Sequence, residues 1–153
     1  MRIVYAADVH GNDKTWRKFV NVPKYIKNID VMMMGGDLTG KMLIPIFKQE
    51  NGTWRCSFNV EYRVKKEEEL NDLLNTIKFS GGYPYTTTKD EWESLRSSDK
   101  DRIMEIQMKD TLNRWIGMIR KVIPKEISII VNPGNDDSEV VDEIIRESEE
   151  VIY

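Results

Sequence analysis

The stretch Arg2-Ile3-Val4-Tyr5-Ala6-Ala7-Asp8-Val9-His10-Gly11-Asn12 decides how the rest of the chain is read. Residues 3–7 are uncharged and almost wholly apolar, and the run stops at a carboxylate and an imidazole two positions apart. An apolar run without polar alternation suits a strand buried on both faces, the habit of parallel sheets. In an extended segment residues i and i+2 project to one side, so Asp8 and His10 are placed to grip one ion. Gly11 then lets the backbone turn sharply.

Two further runs repeat the pattern. Beyond Asn12 a polar helical stretch carries Trp16, Phe19 and Val20 on one face and is broken around Pro23 and Asn28. Residues 29–34 form the second run, which stops at Gly35-Gly36-Asp37. Residues 127–131 form the third, which stops at Asn132-Pro133-Gly134-Asn135-Asp136-Asp137. The helix after it shows Val140, Val141, Ile144 and Ile145 on one side, with Asp136 or Ser138 as its N-cap. This βαβ rhythm predicts an α/β fold. Ligands of open α/β sheets bind beyond the carboxyl ends of the strands, so Asp8-x-His10, Gly36-Asp37 and Gly134-Asn135-Asp136 are expected along one edge. A carboxylate can bridge two cations, which is the natural task of Asp37. Imidazole suits Zn, Fe, Co or Ni, and Asn135 offers a neutral oxygen. Two ions about 3.5–4 Å apart would clamp a phosphate. Taken singly, Asp8 and Asp37 read as helix caps, His10 as a loop histidine and Asn135 as a turn residue. Their joint occurrence at three strand ends, in this order, points to a metal site.

Residues 43–126 read as an insert into a core of 1–42 and 127–153. Residues 43–47 and 53–60 flank Asn51-Gly52, a strong hairpin signal. Leu70, Leu73, Leu74 and Ile77 mark one helix; Met104, Met108, Leu112, Trp115 and Ile119 mark a longer one ended by Pro124. That Met and Trp stripe reads as helix packing. The segment Ser80-Gly81-Gly82-Tyr83-Pro84-Tyr85 reads as a loop between the helices, and Tyr83-Pro84-Tyr85 as a candidate lid.

Composition narrows the classes. The chain has 153 residues, 40% hydrophobic and 32% charged, as in an ordinary single domain. Its 23 basic and 26 acidic residues give a net charge of −3, which argues against a nucleic-acid partner or an anionic membrane. One cysteine, Cys56, excludes an intrachain disulfide framework. No signal segment or membrane-length apolar run is present, and a cytoplasmic location is the expectation.

The set Asp8-x-His10, Gly36-Asp37 and Gly134-Asn135 resembles the first three motifs of calcineurin-like metallophosphoesterases. The stretch Gly36-Asp37-Leu38-Thr39-Gly40-Lys41, the Glu61-Tyr62 hairpin, Gly82-Tyr83-Pro84-Tyr85 and Pro133-Gly134-Asn135-Asp136-Asp137 are similar to a predominantly archaeal branch of that family. The resemblance covers the whole chain. It implies a metallophosphoesterase-type β-sandwich flanked by helices. Asp8 and His10 would hold one metal, Asp37 would bridge, and Asn135 would hold the second. It also implies two divalent ions (Mn, Fe, Zn, Ni or Co), hydrolysis of a phosphomonoester, phosphodiester or nucleotide by metal-bound hydroxide, and the N-terminal part only of a family member.

Two departures stand out. Where many members have a histidine after the motif Asn, thought to protonate or stabilise the leaving group, this chain has Asp136. The family also needs two later histidine motifs, and His10 is the one histidine here. The chain is therefore expected to be truncated, with most of the second sheet lacking, weak metal binding and little turnover. An uncovered apolar sheet face is expected to drive self-association.

Two rival readings fit parts of the same sequence. Gly35-x4-Gly40-Lys41 fits most of a P-loop, but Met42 stands where the Mg²⁺-binding hydroxyl should be and Asp37 would face the phosphates. The other is a non-catalytic binding or assembly module derived from a metallophosphoesterase, for which the missing histidines speak.

Overall fold

The computed structural model describes residues 1–153. Along it, β1 (Ile3–Ala7) leads to α1 (Asp13–Val20), a single 3-10 turn (Val22–Lys24) and β2 (Val31–Gly35). β3 (Met42–Lys48), β4 (Trp54–Phe58) and β5 (Val60–Val64) precede α2 (Glu67–Phe79) and β6 (Gly82–Thr87). α3 (Lys89–Ser94), α4 (Ser97–Val122), β7 (Ser128–Asn132) and α5 (Glu139–Glu147) follow. The chain is α/β, with one parallel and one mixed sheet. None of its helices is long and apolar enough to cross a membrane.

The three apolar runs become the parallel sheet β1-β2-β7. Its register aligns Ala7 with Gly35 and Gly35 with Asn132, so all three strands end at one level. The segments that follow them leave the sheet side by side. One face of the sheet, through Met32, Met34, Ile129 and Val131, joins Trp16, Phe19, Leu112, Trp115, Ile119, Val141 and Ile145 in the larger core. Asn12 starts α1 by accepting a hydrogen bond from the Thr15 amide at 2.9 Å. Trp16 stacks on Trp115 with ring centroids 4.8 Å apart and 7° between planes. The buried carboxylate of Asp13 accepts from the Trp115 indole at 2.5 Å and from Arg114 at 2.8 and 2.9 Å. A buried charge needs such partners.

The other face is open. Ile3 and Tyr5 of β1 are 48% and 66% exposed, and Ile152, bridged to Ile130, is 55% exposed. Val31, Met33 and Ile130 on the same face are half-buried.

The insert builds its own sheet, β5-β4-β3-β6, which extends the hairpin expected of it. Asn51-Gly52 turns β3 into β4, with Gly52 at φ +77°. A second turn at Asn59, φ +60°, splits what the alternation of residues 53–60 presents as one strand and returns the chain as β5. The segment expected to be a loop and lid is strand β6, parallel to β3. Pro84 is tolerated there because β6 is an edge strand. Tyr83 is buried and accepts a hydrogen bond from the Gly40 amide at 2.9 Å. Burial pushes its phenol up to about 12, so it stays neutral and structural. The Thr88–Glu91 capping box starts α3, an element absent from the sequence reading.

Ile44, Ile46, Cys56, Phe58, Val64, Leu73 and Ile77 form a separate core in which α2 covers the insert's sheet. The two sheets therefore do not enclose one sandwich core. The physical reason is that α2 and α4 supply the apolar surface each sheet needs. The expected boundary at residues 126/127 does not follow the packing either, because Leu112, Trp115, Ile119 and Ile123 belong to the first core.

Candidate metal centre

The strand ends bring three of the expected residues together. Ligand-capable atoms of Asp8, His10 and Asp37 all lie within 4.8 Å of one another. His10 Nε2 is 3.9 Å from Asp37 Oδ2, with the two side chains 48% and 14% exposed. The Asp8 amide donates to Gly35 and Gly36 carbonyls at 3.3 Å, and the His10 amide donates to the Asp37 carbonyl at 2.8 Å. The first loop is thereby sewn to the second.

How Asp8 and His10 converge differs from the expectation. They are not alternate residues of an extended segment. Asp8, His10 and Asp37 have φ of +56°, +47° and +39°, in the left-handed region that side chains other than Asn and Asp rarely adopt. Only Asn28 and Asn59 share that state among the other non-glycine residues. Such backbone costs of order 1–3 kcal/mol per residue and gathers at functional sites. None of the three caps a helix, which removes the plainer reading of Asp8 and Asp37: Asn12 occupies that role for α1.

The loop that bears Asn135 meets Asp37 through its neighbours Gly134 and Asp136. A Cβ on Gly134 would lie 2.1 Å from the Asp37 nitrogen and 2.2 Å from its Oδ1, so only glycine allows this approach. The next peptide then donates its Asp136 N–H to Asp37 Oδ1 at 3.2 Å. The Asn135 carboxamide itself donates to Asp136 Oδ1 at 3.2 Å.

Asp136 neither caps α5, whose N-cap position is Ser138, nor resembles a proton donor. Its carboxyl is held below the usual carboxylate range, chiefly by the hydrogen bond from the Lys41 ammonium. The same contact holds the Lys41 ammonium above its ordinary value. Asp136 is therefore an anion at neutral pH.

One residue of the site had no role assigned to it from the sequence. Asp137 accepts four hydrogen bonds: Leu38 N at 2.9 Å, Thr39 N at 2.8 Å, Thr39 Oγ1 at 2.7 Å and Gly134 N at 2.8 Å. It clamps the loop after β2 to the loop after β7, and so sets the spacing of Asp37 and Asn135. Behind the site, a Cβ on Gly81 would sit 2.0 Å from the His10 carbonyl oxygen, so the insert backbone braces the histidine loop. The P-loop reading fails structurally as well, because Lys41 leads into strand β3 and not into a helix.

The donor set fits a divalent cation. Two carboxylates this close repel each other, and a cation between them turns repulsion into attraction. Oxygen and imidazole nitrogen ligands together suit Mn, Fe, Co, Ni or Zn. If the left-handed state of Asp8 serves a ligand, Asp8→Gly should keep metal-free stability within about 1 kcal/mol of the parent while Mn²⁺ affinity drops more than tenfold. Urea unfolding and calorimetry read the two quantities. A large loss of metal-free stability would show instead that the side chain is structural.

No family model, curated protein or solved structure matches this chain.

Proposed function

We propose that this chain carries part of a metal-dependent phosphoester hydrolase site, acting on a phosphomonoester or phosphodiester. The observation that supports it most is the convergence of Asp8, His10 and Asp37 from successive strand ends, each on left-handed backbone. Asp8 and His10 would hold one divalent cation, and Asp37 would be shared with a second ion near Asn135. Such ions supply Lewis acidity toward phosphoryl oxygens and a water acidic enough to ionise near neutral pH. The chain's own residues orient that chemistry: Asp136 N–H fixes the Asp37 carboxylate, and Asp137 fixes the loop that bears it. On this reading the parallel sheet is one wall of a calcineurin-like metallophosphoesterase scaffold.

A single histidine leaves the coordination spheres to be finished by water or by donors outside these 153 residues, so weak turnover is expected. The same observation favours a second reading, a non-catalytic binding module on the same scaffold. Elemental analysis together with hydrolysis of aryl phosphate and bis-aryl phosphate in Mn²⁺ separates them. Bound metal with slow turnover supports the hydrolase, and bound metal with none supports the module. A chain that retains no metal at millimolar Mn²⁺ sinks both.

For the open face of β1, β2 and β7 we propose a second copy of the chain as partner. Light scattering at micromolar concentration should give a mass above 18.0 kDa, reduced toward it by Tyr5→Lys. A monomeric parent ends that proposal.

A further inference from the structure

We propose that Lys41 is the phosphate-binding residue of this site, held in place by Asp136, and that it selects a terminal phosphoryl group. The inference rests on the metal-centre reading. Lys41 Nζ is paired with Asp136 Oδ2, while the Asp136 amide donates to Asp37 Oδ1 and its Oδ1 accepts from Asn135. The ammonium therefore lies one residue away from two of the four site residues.

Its position is fixed by the loop and not by chance. Gly40, the preceding residue, donates its amide to the buried Tyr83 hydroxyl, and a Cβ there would lie 1.9 Å from the Gly81 carbonyl oxygen. The loop that presents Lys41 is thus welded to the insert.

The charge balance then gives Lys41 a purpose. Asp8, Asp37, Asp136 and Asp137 crowd this edge, and on their own they repel an anionic ester. Ammonium is a common point-charge binder of phosphate. The Lys41 and Asp136 side chains are 53% and 38% exposed, and an ion pair so placed contributes little net stability. A phosphate can therefore take over the ammonium from Asp136. A terminal phosphoryl group carries about two charges near neutral pH, its second pKa being about 6, whereas a diester carries one. The extra cation favours the former.

Calorimetry on the whole chain with Mn²⁺, then inorganic phosphate, methyl phosphate or dimethyl phosphate, tests this. Lys41→Met should bind Mn²⁺ within about twofold of the parent but inorganic phosphate at least about tenfold more weakly. Asp136→Asn, which frees the ammonium, should bind phosphate several-fold more tightly. The parent should prefer methyl over dimethyl phosphate, and Lys41→Met should lose most of that preference. Equal phosphate affinity in parent and Lys41→Met overturns the proposal. So does a Mn²⁺-loaded parent that binds no phosphate, with the metal-centre reading left standing. Equal binding of the two esters by the parent overturns the selectivity. A parent that binds no Mn²⁺ removes the underlying function, and the Lys41 proposal falls with it.

Discussion

Trp115→Ala should lower the unfolding free energy by about 3–5 kcal/mol, the usual cost of truncating a buried aromatic side chain. Three losses coincide at this position. The ring is buried and stacked on Trp16, so its removal leaves a cavity on the inner face of α1. Its indole N–H vanishes from Asp13, a buried carboxylate that then keeps only Arg114. Trp16 loses its stacking partner while its own N–H still donates to the residue 115 carbonyl, 3.2 Å away in the parent. Domains of this size are stable by only about 5–15 kcal/mol, so the variant should approach marginal stability. Trp115→Phe separates the terms, since it keeps most of the packing and loses the hydrogen bond, for about 1–3 kcal/mol. Urea midpoints read both effects. A loss below about 1 kcal/mol for Trp115→Ala would mean that α4 does not hold α1 in place. The consequence reaches the site, because α1 begins three residues after His10 and its seat fixes the histidine loop.

Much of this packing was legible in the sequence. Trp16 and Phe19 on one face, and the Met108, Leu112, Trp115, Ile119 stripe, have helical spacing that topology leaves unchanged. The three parallel strands were legible for a related reason, since uncharged runs without alternation have few other uses. What failed did so where local chemistry competes with tertiary pairing. Gly82 and Pro84 are loop residues by any local measure, yet β3 offers them a parallel partner and the Tyr83 ring between them is buried. Asn59 turns the chain inside an alternating stretch, and a single Asn among strand formers gives little warning. That the insert's sheet takes its cover from α2 was not legible either, because apolar faces can be covered by helices as well as by sheets and periodicity does not say which.

The site divides along the same line. Asp8, His10 and Asp37 were legible because strand ends are where an α/β sheet gathers its chemistry. Their left-handed backbone was not, since it arises from the amide contacts that sew the loops together. Asp137 and Lys41 owe their roles to partners 95 to 99 residues away, so nothing near them in the chain announces what they do.

Asp37→Asn is the sharpest test of the site, because asparagine preserves almost everything except the charge. It tolerates positive φ, and its Oδ1 can still accept the Asp136 amide, so metal-free stability should move by less than about 0.5 kcal/mol. What disappears is the one carboxylate of the cluster that is largely shielded from solvent, at 14% exposure. Unit charges 4 Å apart interact by about 4 kcal/mol at an effective dielectric near 20, and a divalent ion feels more. Even if solvent removes half of that, about 2 kcal/mol remains, which is more than a tenfold loss of Mn²⁺ affinity. If Asp37 is shared by two ions, both binding steps should weaken, whereas Asp8→Asn should weaken only one. Calorimetric titration with Mn²⁺ distinguishes these patterns, and any phosphoesterase turnover should vanish in Asp37→Asn. An Asp37→Asn chain that binds Mn²⁺ as tightly as the parent would place the metal elsewhere, and the strain at Asp8, His10 and Asp37 would then need another cause.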